Sequence, residues 1–408
     1  MILLPLYIDP GTGSLLFSIV IGATAAAYFL FLALFIKIKV FLTGGRAKQG
    51  SSHKFVIYAE DKRYFVQFKP ILEEFEARFI EVLYLTASGD DPVFDSAFKY
   101  VKAELLGKGN RAFARLNFLS ADIVLSSTPG LDVFHWKRSK MVKHYCHILH
   151  STDETSYYEM FALDYYDSIL LSGGDFQVEA VRKLEKVRNL KEKKLFTAGC
   201  PYLDDYAKKM ALQAEPETHI FTVLVSPSWG KSALLSKYGE KLLDGLVKTG
   251  WNVIVRPHPQ SLISERDLID RLSLRYKDDS NFEWDFEREN LPSISKADIM
   301  ISDFSGIIMD YMFLRIRPVI YVAQNIDFRP LDAHLIYKDQ NEGWIYKMLK
   351  KAGIELKPEL FDDLEGIISR AAASGALESA IKEAKAEAWH YQGASARRVV
   401  DFMIETAG

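Results

Sequence analysis

Three short stretches of the 408-residue sequence combine residue types that hold an anion or move a proton. In Val255-Arg256-Pro257-His258-Pro259, two prolines keep the residues before them extended, so Arg256 and His258 are rigidly displayed. Arg256 supplies permanent charge, and His258 gives a hydrogen bond or a proton to a phosphate near neutral pH. In Ser302-Asp303-Phe304-Ser305-Gly306, an apolar run leads into hydroxyls, a glycine and then a second apolar run. A helix starting there would present unpaired N–H groups and the Ser302 and Ser305 hydroxyls as a phosphate cradle, although Ser305 or Asp303 could equally be a plain helix cap. Asp303 would repel a phosphate, so it is expected to cap, to orient a neighbour or to meet a hydroxyl. The third stretch, 143–153 (KHYCHILHSTD), holds three histidines. In an extended strand His144 and His150 share one face and His147 takes the other, which argues against a His-only metal site. His150 is last in the run, placed to act as general base on a hydroxyl; His144 and His147 default to packing. Gly230-Lys231-Ser232 follows a strand-like run, but Val225 stands where a Walker A loop needs glycine, which argues against a P-loop. The loop 226–229 either lines a ligand pocket through Ser226 and Trp229 or is a strand-to-helix turn with a packed Trp.

These stretches fall at the ends of short apolar, β-branched runs. Strands are predicted at 54–59, 79–86, 122–127, 144–149, 168–171 and 194–198, with helices such as 64–78 and 175–190 between them. A turn-rich, charged segment, 199–217, precedes a second cycle: strands at 220–225, 251–255, 282–285, 298–302 and 318–322, helices at 232–248, 264–275 and 307–314. Such alternation predicts an α/β protein with two doubly wound, Rossmann-like domains, whose ligands bind beyond the carboxyl ends of the strands. The expected divisions are an anchor at 1–42, a Gly/Ser/Lys-rich linker at 43–52, an acceptor domain at 53–205, a donor-nucleotide domain at 206–345 and helices at 346–408. The apolar face of 393–405 is expected to pack back on the body.

With 51 basic and 54 acidic residues the formal charge is −3, so no global pull toward nucleic acid exists. A mean hydropathy of −0.03 excludes a multi-span transporter. The two cysteines, Cys146 and Cys200, fit no zinc, haem or disulfide pattern and are expected to be buried thiols. The run 14–36 carries no charged residue and is long enough for the ~30 Å hydrocarbon core, so one N-terminal transmembrane helix is predicted. Lys37, Lys39, Arg46 and Lys48 follow it, which places the body on the cytoplasmic side of a single-pass protein of the cell (inner) membrane. Gly22, Ala23 and Ala25 to Ala27 would let a second helix approach, a route to a homo-oligomer.

The set formed by His150, Pro227-Ser228-Trp229, Arg256-Pro257-His258-Pro259, Ser302 to Gly306 and Met309-Asp310-Tyr311 resembles the CDP-glycerol glycerophosphotransferase family of teichoic-acid primases and polymerases. The turn Ala198-Gly199-Cys200-Pro201-Tyr202-Leu203-Asp204 and the closing stretch 393–401 are also similar, so the likeness spans roughly 140–400. The resemblance implies a GT-B fold, a CDP-linked donor on the second domain and a lipid-linked or glycan acceptor approaching the first. It implies attack of an acceptor hydroxyl on the phosphate next to glycerol, with release of CMP. By position, His150 would be the base, and Arg256, His258, Ser302, Ser305 and Gly306 would grip the diphosphate, with Asp303, Ser226 and Trp229 in the same donor site. No cofactor is expected; Mg2+ would find no Asp-x-Asp ligand motif. Two features depart from the family: His150-Ser151-Thr152-Asp153 replaces the common His-Gly-Thr-Pro, and a spanning helix replaces surface helices. The expectation is a membrane-anchored alditol-phosphate transferase of cell-envelope polymer synthesis. A GT-B glycosyltransferase, a UDP-sugar 2-epimerase and a catalytically inactive membrane scaffold are the alternatives.

Overall fold

The computed structural model describes residues 52–213, 220–323 and 327–408, together with scattered helical residues between 21 and 34. Residues Met1–Ser52 and His53–Gly408 form two separate compact units. Most of the predicted membrane helix, 14–36, lies outside the described residues, as does the linker up to residue 51. Within that run, Ile21, Tyr28, Leu30, Phe31 and Leu34 are exposed, and among the described residues no helix is long and apolar enough to cross a membrane.

The unit His53–Gly408 contains two parallel sheets. The first joins β1 (His53–Ala59), β2 (Val82–Thr86), β3 (Val101–Leu105), β4 (Ala121–Ser126), β5 (Val142–Ile148), β6 (Ser168–Leu171) and β7 (Lys194–Thr197) in the order β3-β2-β1-β4-β5-β6-β7. The second joins β8 (Thr222–Val225), β9 (Asn252–Val255), β10 (Phe282–Trp284), β11 (Ile299–Ser302), β12 (Val319–Tyr321) and β13 (Gly353–Glu355) in the order β10-β9-β8-β11-β12-β13. Central strands are apolar on both faces because helices cover both. Phe55 and Ile57 of β1 enter one core and Val56 and Tyr58 the core on the other face, and in the second sheet Ile299 and Met300 of β11 likewise enter cores on opposite faces. Strand order reverses between β8 and β11, opening the crevice at their carboxyl ends where the Ser226 and Ser305 loops emerge.

Three larger features differ from expectation. The segment 199–217 is not merely a turn: Pro201 occupies the first turn of the helix Pro201–Ala211, where its missing N–H costs nothing, and this helix crosses the expected division at 205. β13 pairs in parallel with β12, so the second sheet extends beyond residue 345. β3, which the pattern does not reveal, is an edge strand with polar Lys102 and Glu104. The closing helix, Ser395–Ala407, lies on the first lobe, burying Val399, Val400, Phe402 and Met403 in the core that holds Phe55 and Ile57. Gly199 permits this: at φ +94°, a Cβ there would meet the Ser395 hydroxyl and the His390 carbonyl.

Candidate active site

The carboxyl ends of both sheets face one cavity of about 490 Å³, lined by His150, Asp153 and Tyr158 from the first lobe and by Ser226, Arg256, His258, Arg288, Ser305, Gly306 and Asp310 from the second. On the second lobe, the helix Ile307–Arg315 begins at Gly306 without a side-chain cap; the Ile308 and Met309 N–H groups donate to the Ser305 and Gly306 carbonyls, while those of Gly306 and Ile307, both residues of the cavity lining, have no partner among the described residues. Gly306 has φ −60°, and a Cβ there would meet nothing within 4 Å. Its backbone does not demand glycine; the open space beside it belongs to the site.

His258 sits at the head of the turn after β9. The Gln260 N–H donates to its Nδ1 at 3.1 Å, which leaves the proton of the neutral ring on Nε2. Burial and then the Arg63 charge lower its pKa, with Glu265 opposing, so His258 is neutral at pH 7 and serves as a hydrogen-bond donor. Arg256 is expected to grip the diphosphate, but its guanidinium is committed elsewhere. Nη1 pairs with Asp285 at 2.5 Å, while Nη2 donates to the carbonyls of Glu287 (2.7 Å) and Arg288 (3.1 Å). Burial raises the Asp285 pKa, but Ser293, the Glu287 amide and Arg256 outweigh it, so the pair stays ionised. Arg256 thus shapes the turn that brings Arg288 to the cavity, and Arg288 reaches across to donate to the Lys62 carbonyl of the first lobe.

Unlike Arg256, three expected donor-site residues do not line the cavity. Buried Ser302 donates through Oγ to the Ser226 carbonyl at 2.7 Å, fastening the β8 and β11 loops together. The Asp303 carboxylate accepts from the N–H groups of Ser228 and Leu234 (both 2.8 Å) and Phe304 (2.7 Å), so it ties the loop after β11 to the start of the helix Leu234–Val247 and does not cap the helix Ile307–Arg315. Trp229 is 49% exposed, its ring 6.3 Å from that of His258.

On the first lobe, β5 ends at Ile148, so strand alternation does not govern His150. The expected pairing of His144 with His150 on one face is not found. His144 bonds Ser168 and packs near Phe402, whereas His147 and His150 both contact the Tyr158 ring. Tyr158 Oη lies 2.9 Å from His150 Nδ1. Burial pulls the His150 imidazolium down to about 4, so the ring is a neutral base at pH 7. Two carboxyls on the cavity wall are shifted the other way. Burial pushes Asp153 and Asp310 each up to about 7; Asp310 accepts from Tyr202 at 2.6 Å. Sequence reasoning missed Arg288, Asp153 and Tyr158. Arg288 follows β10 by the same rule that flagged Arg256, so strand-end position was its available signal.

A family model described as CDP-glycerol:poly(glycerophosphate) glycerophosphotransferase matches residues 149–403. The chain is similar to a solved structure of the wall teichoic acid polymerase TagF, at 13% identity and a TM-score of 0.57, covering 92% of this chain and 97% of that one. A TagF structure soaked with CDPG gives 0.59 at 13% identity and the same coverage. A putative UDP-N-acetylglucosamine 2-epimerase from Listeria monocytogenes gives 0.57 at 11% identity, covering 86% of this chain and 95% of that one. At such identities the likeness is one of fold. No curated protein sequence matches the chain.

Proposed function

The chain belongs to the CDP-glycerol:poly(glycerophosphate) glycerophosphotransferase family, and on that premise we propose that it moves glycerol phosphate from CDP-glycerol to a hydroxyl of a lipid-linked or glycan acceptor in cell-envelope polymer synthesis. The observation that carries this reading is the shared cavity, where His150 of one lobe faces an uncapped helix N-terminus and His258 of the other. In the tautomer that donates Nδ1–H to Tyr158 Oη, which the reaction requires, His150 Nε2 keeps a free lone pair for the acceptor proton. As that proton leaves, the acceptor oxygen bonds the phosphorus next to glycerol, the bond from this phosphorus to the bridging oxygen breaks, and CMP departs with the electron pair. The proton then passes from His150 to solvent. Charge growing on CMP is met by the first-turn N–H groups at Gly306 and Ile307, the Ser305 hydroxyl, the His258 Nε2–H and the Arg288 guanidinium. The run 14–36 would hold the body at the cytoplasmic face of the inner membrane, beside a lipid-linked acceptor.

His150→Ala is expected to lower acceptor-dependent CMP release by about 10²- to 10⁴-fold, while CDP-glycerol binding measured by calorimetry stays close to wild type. Undiminished turnover in this variant would remove His150 from the mechanism.

A further inference from the structure

A second cavity of about 280 Å³ adjoins the main one, and Asp153 and Tyr157 line both. Its walls include the rings of Phe304 and Tyr346 and the side chains of Ile345 and Leu349, and no Lys, Arg or His is among its lining residues. Its two carboxylates differ. Asp327 is neutralised by Arg329, which binds it through Nε and Nη2, both at 2.7 Å. Asp153 Oδ1 accepts the Glu154 N–H at 2.6 Å, and its Oδ2 has no partner among the described residues. The loop carrying Asp153 is held from both sides. Gln177 donates to the Asp153 carbonyl at 2.8 Å, the Glu154 carboxylate accepts from the Trp344 N–H at 2.7 Å, and Tyr157 donates to the Gln340 carbonyl at 3.1 Å. A fixed carboxylate oxygen beside aromatic and aliphatic walls suits a ring with apolar faces and hydroxyl edges. Burial pushes the Asp153 carboxyl up to about 7, so it can accept from a sugar hydroxyl or, when protonated, donate to one, whereas a phosphodiester would find no cation among the lining residues to offset its charge.

We propose that this annex is the acceptor subsite, that it takes a neutral sugar rather than a glycerophosphate terminus, and that Asp153 accepts from a sugar hydroxyl next to the one His150 deprotonates. The proposal rests on the transferase reading for the role of His150, but the binding it asserts is measurable without turnover. A site built to bond a hydroxyl discriminates strongly against an analogue that lacks it.

The test is equilibrium binding to the full chain with CDP present, followed by saturation-transfer NMR, for a panel of methyl hexosides and methyl N-acetylhexosaminides against glycerol 3-phosphate. At least one glycoside is expected to bind without competition from glycerol phosphate. Tyr346→Ala and Asp153→Asn are each expected to weaken it about 10-fold or more. Arg63→Ala, in a separate small cavity beside His150, is expected to leave glycoside binding in place. A monodeoxy glycoside discriminated by wild type should lose its disadvantage in Asp153→Asn. Preference for glycerol phosphate, loss of binding in Arg63→Ala alone, or Tyr346→Ala weakening CDP instead of the glycoside would each overturn the assignment. Glycoside binding at the annex without CMP release from any acceptor would leave the subsite standing and refute the transfer reaction.

Discussion

Asp310 sits 8% exposed between the Tyr202 hydroxyl and the Asn290 amide, and burial holds its carboxyl neutral up to about 7. A carboxyl whose folded pKa is raised contributes stability that is full below its unfolded value and lost as pH rises through the folded one. Asp310→Asn keeps an acceptor for Tyr202 and cannot ionise, so its stability relative to wild type is expected to grow by roughly 2–3 kcal/mol between pH 5 and pH 8. Urea unfolding of both proteins at the two pH values checks this; a constant difference would mean that Asp310 ionises freely in the fold. The residue scale also shows what a linear sequence conceals. His150, His258, Ser226, Ser305 and Gly306 were legible because strand ends and prolines announce them, and all five line one cavity. Arg256 was legible as a rim cation but not as a spent one, because Asp285, its partner, lies 29 residues away.

The elements that position these residues were read largely from apolar periodicity, which is strongest where strands are buried on both faces. β6 matches its expected span, and the edge strands β7 and β10 were also read, while β3 and β13, edge strands of different sheets, were not, because β3 carries Lys102 and Glu104 and β13 is only three residues long and buries none of them. The helix Pro201–Ala211 was hidden by a proline that signals a turn and here opens a helix. The element of greatest consequence outside the two sheets is the apolar run 14–36. Because His53–Gly408 is a compact unit by itself, deleting residues 1–52 is expected to leave a folded body, with an unchanged thermal midpoint, that moves from the membrane to the soluble fraction. A deleted chain that still sediments with membranes after alkaline carbonate washing would show that the body has its own lipid contact and that the run is not the anchor.

At the scale of the whole molecule, the two lobes are tied together along one side of the cleft. Arg188 of the first lobe pairs with Asp164 at 2.7 Å and reaches Asp332, Glu154 accepts from Trp344, and the Phe176 and Trp344 rings stack at 4.1 Å. Ser395–Ala407 then returns the chain to the first lobe, so the core of that lobe is completed by the last helix of the chain. This arrangement makes the cavity a shared property: His150, the proposed proton acceptor, belongs to one lobe and the helix end at Gly306 to the other. The near-zero net charge is consistent with the proposed donor site, since a small preformed site, not a broad basic surface, would receive the diphosphate. The most direct measurement is the nucleotide product when the purified full-length chain meets a panel of CDP- and UDP-linked donors with an acceptor present. The account expects CMP from CDP-glycerol, formed only with acceptor and lost in His150→Ala. Release of UDP from a nucleotide sugar, with CDP donors neither bound nor consumed, would contradict it.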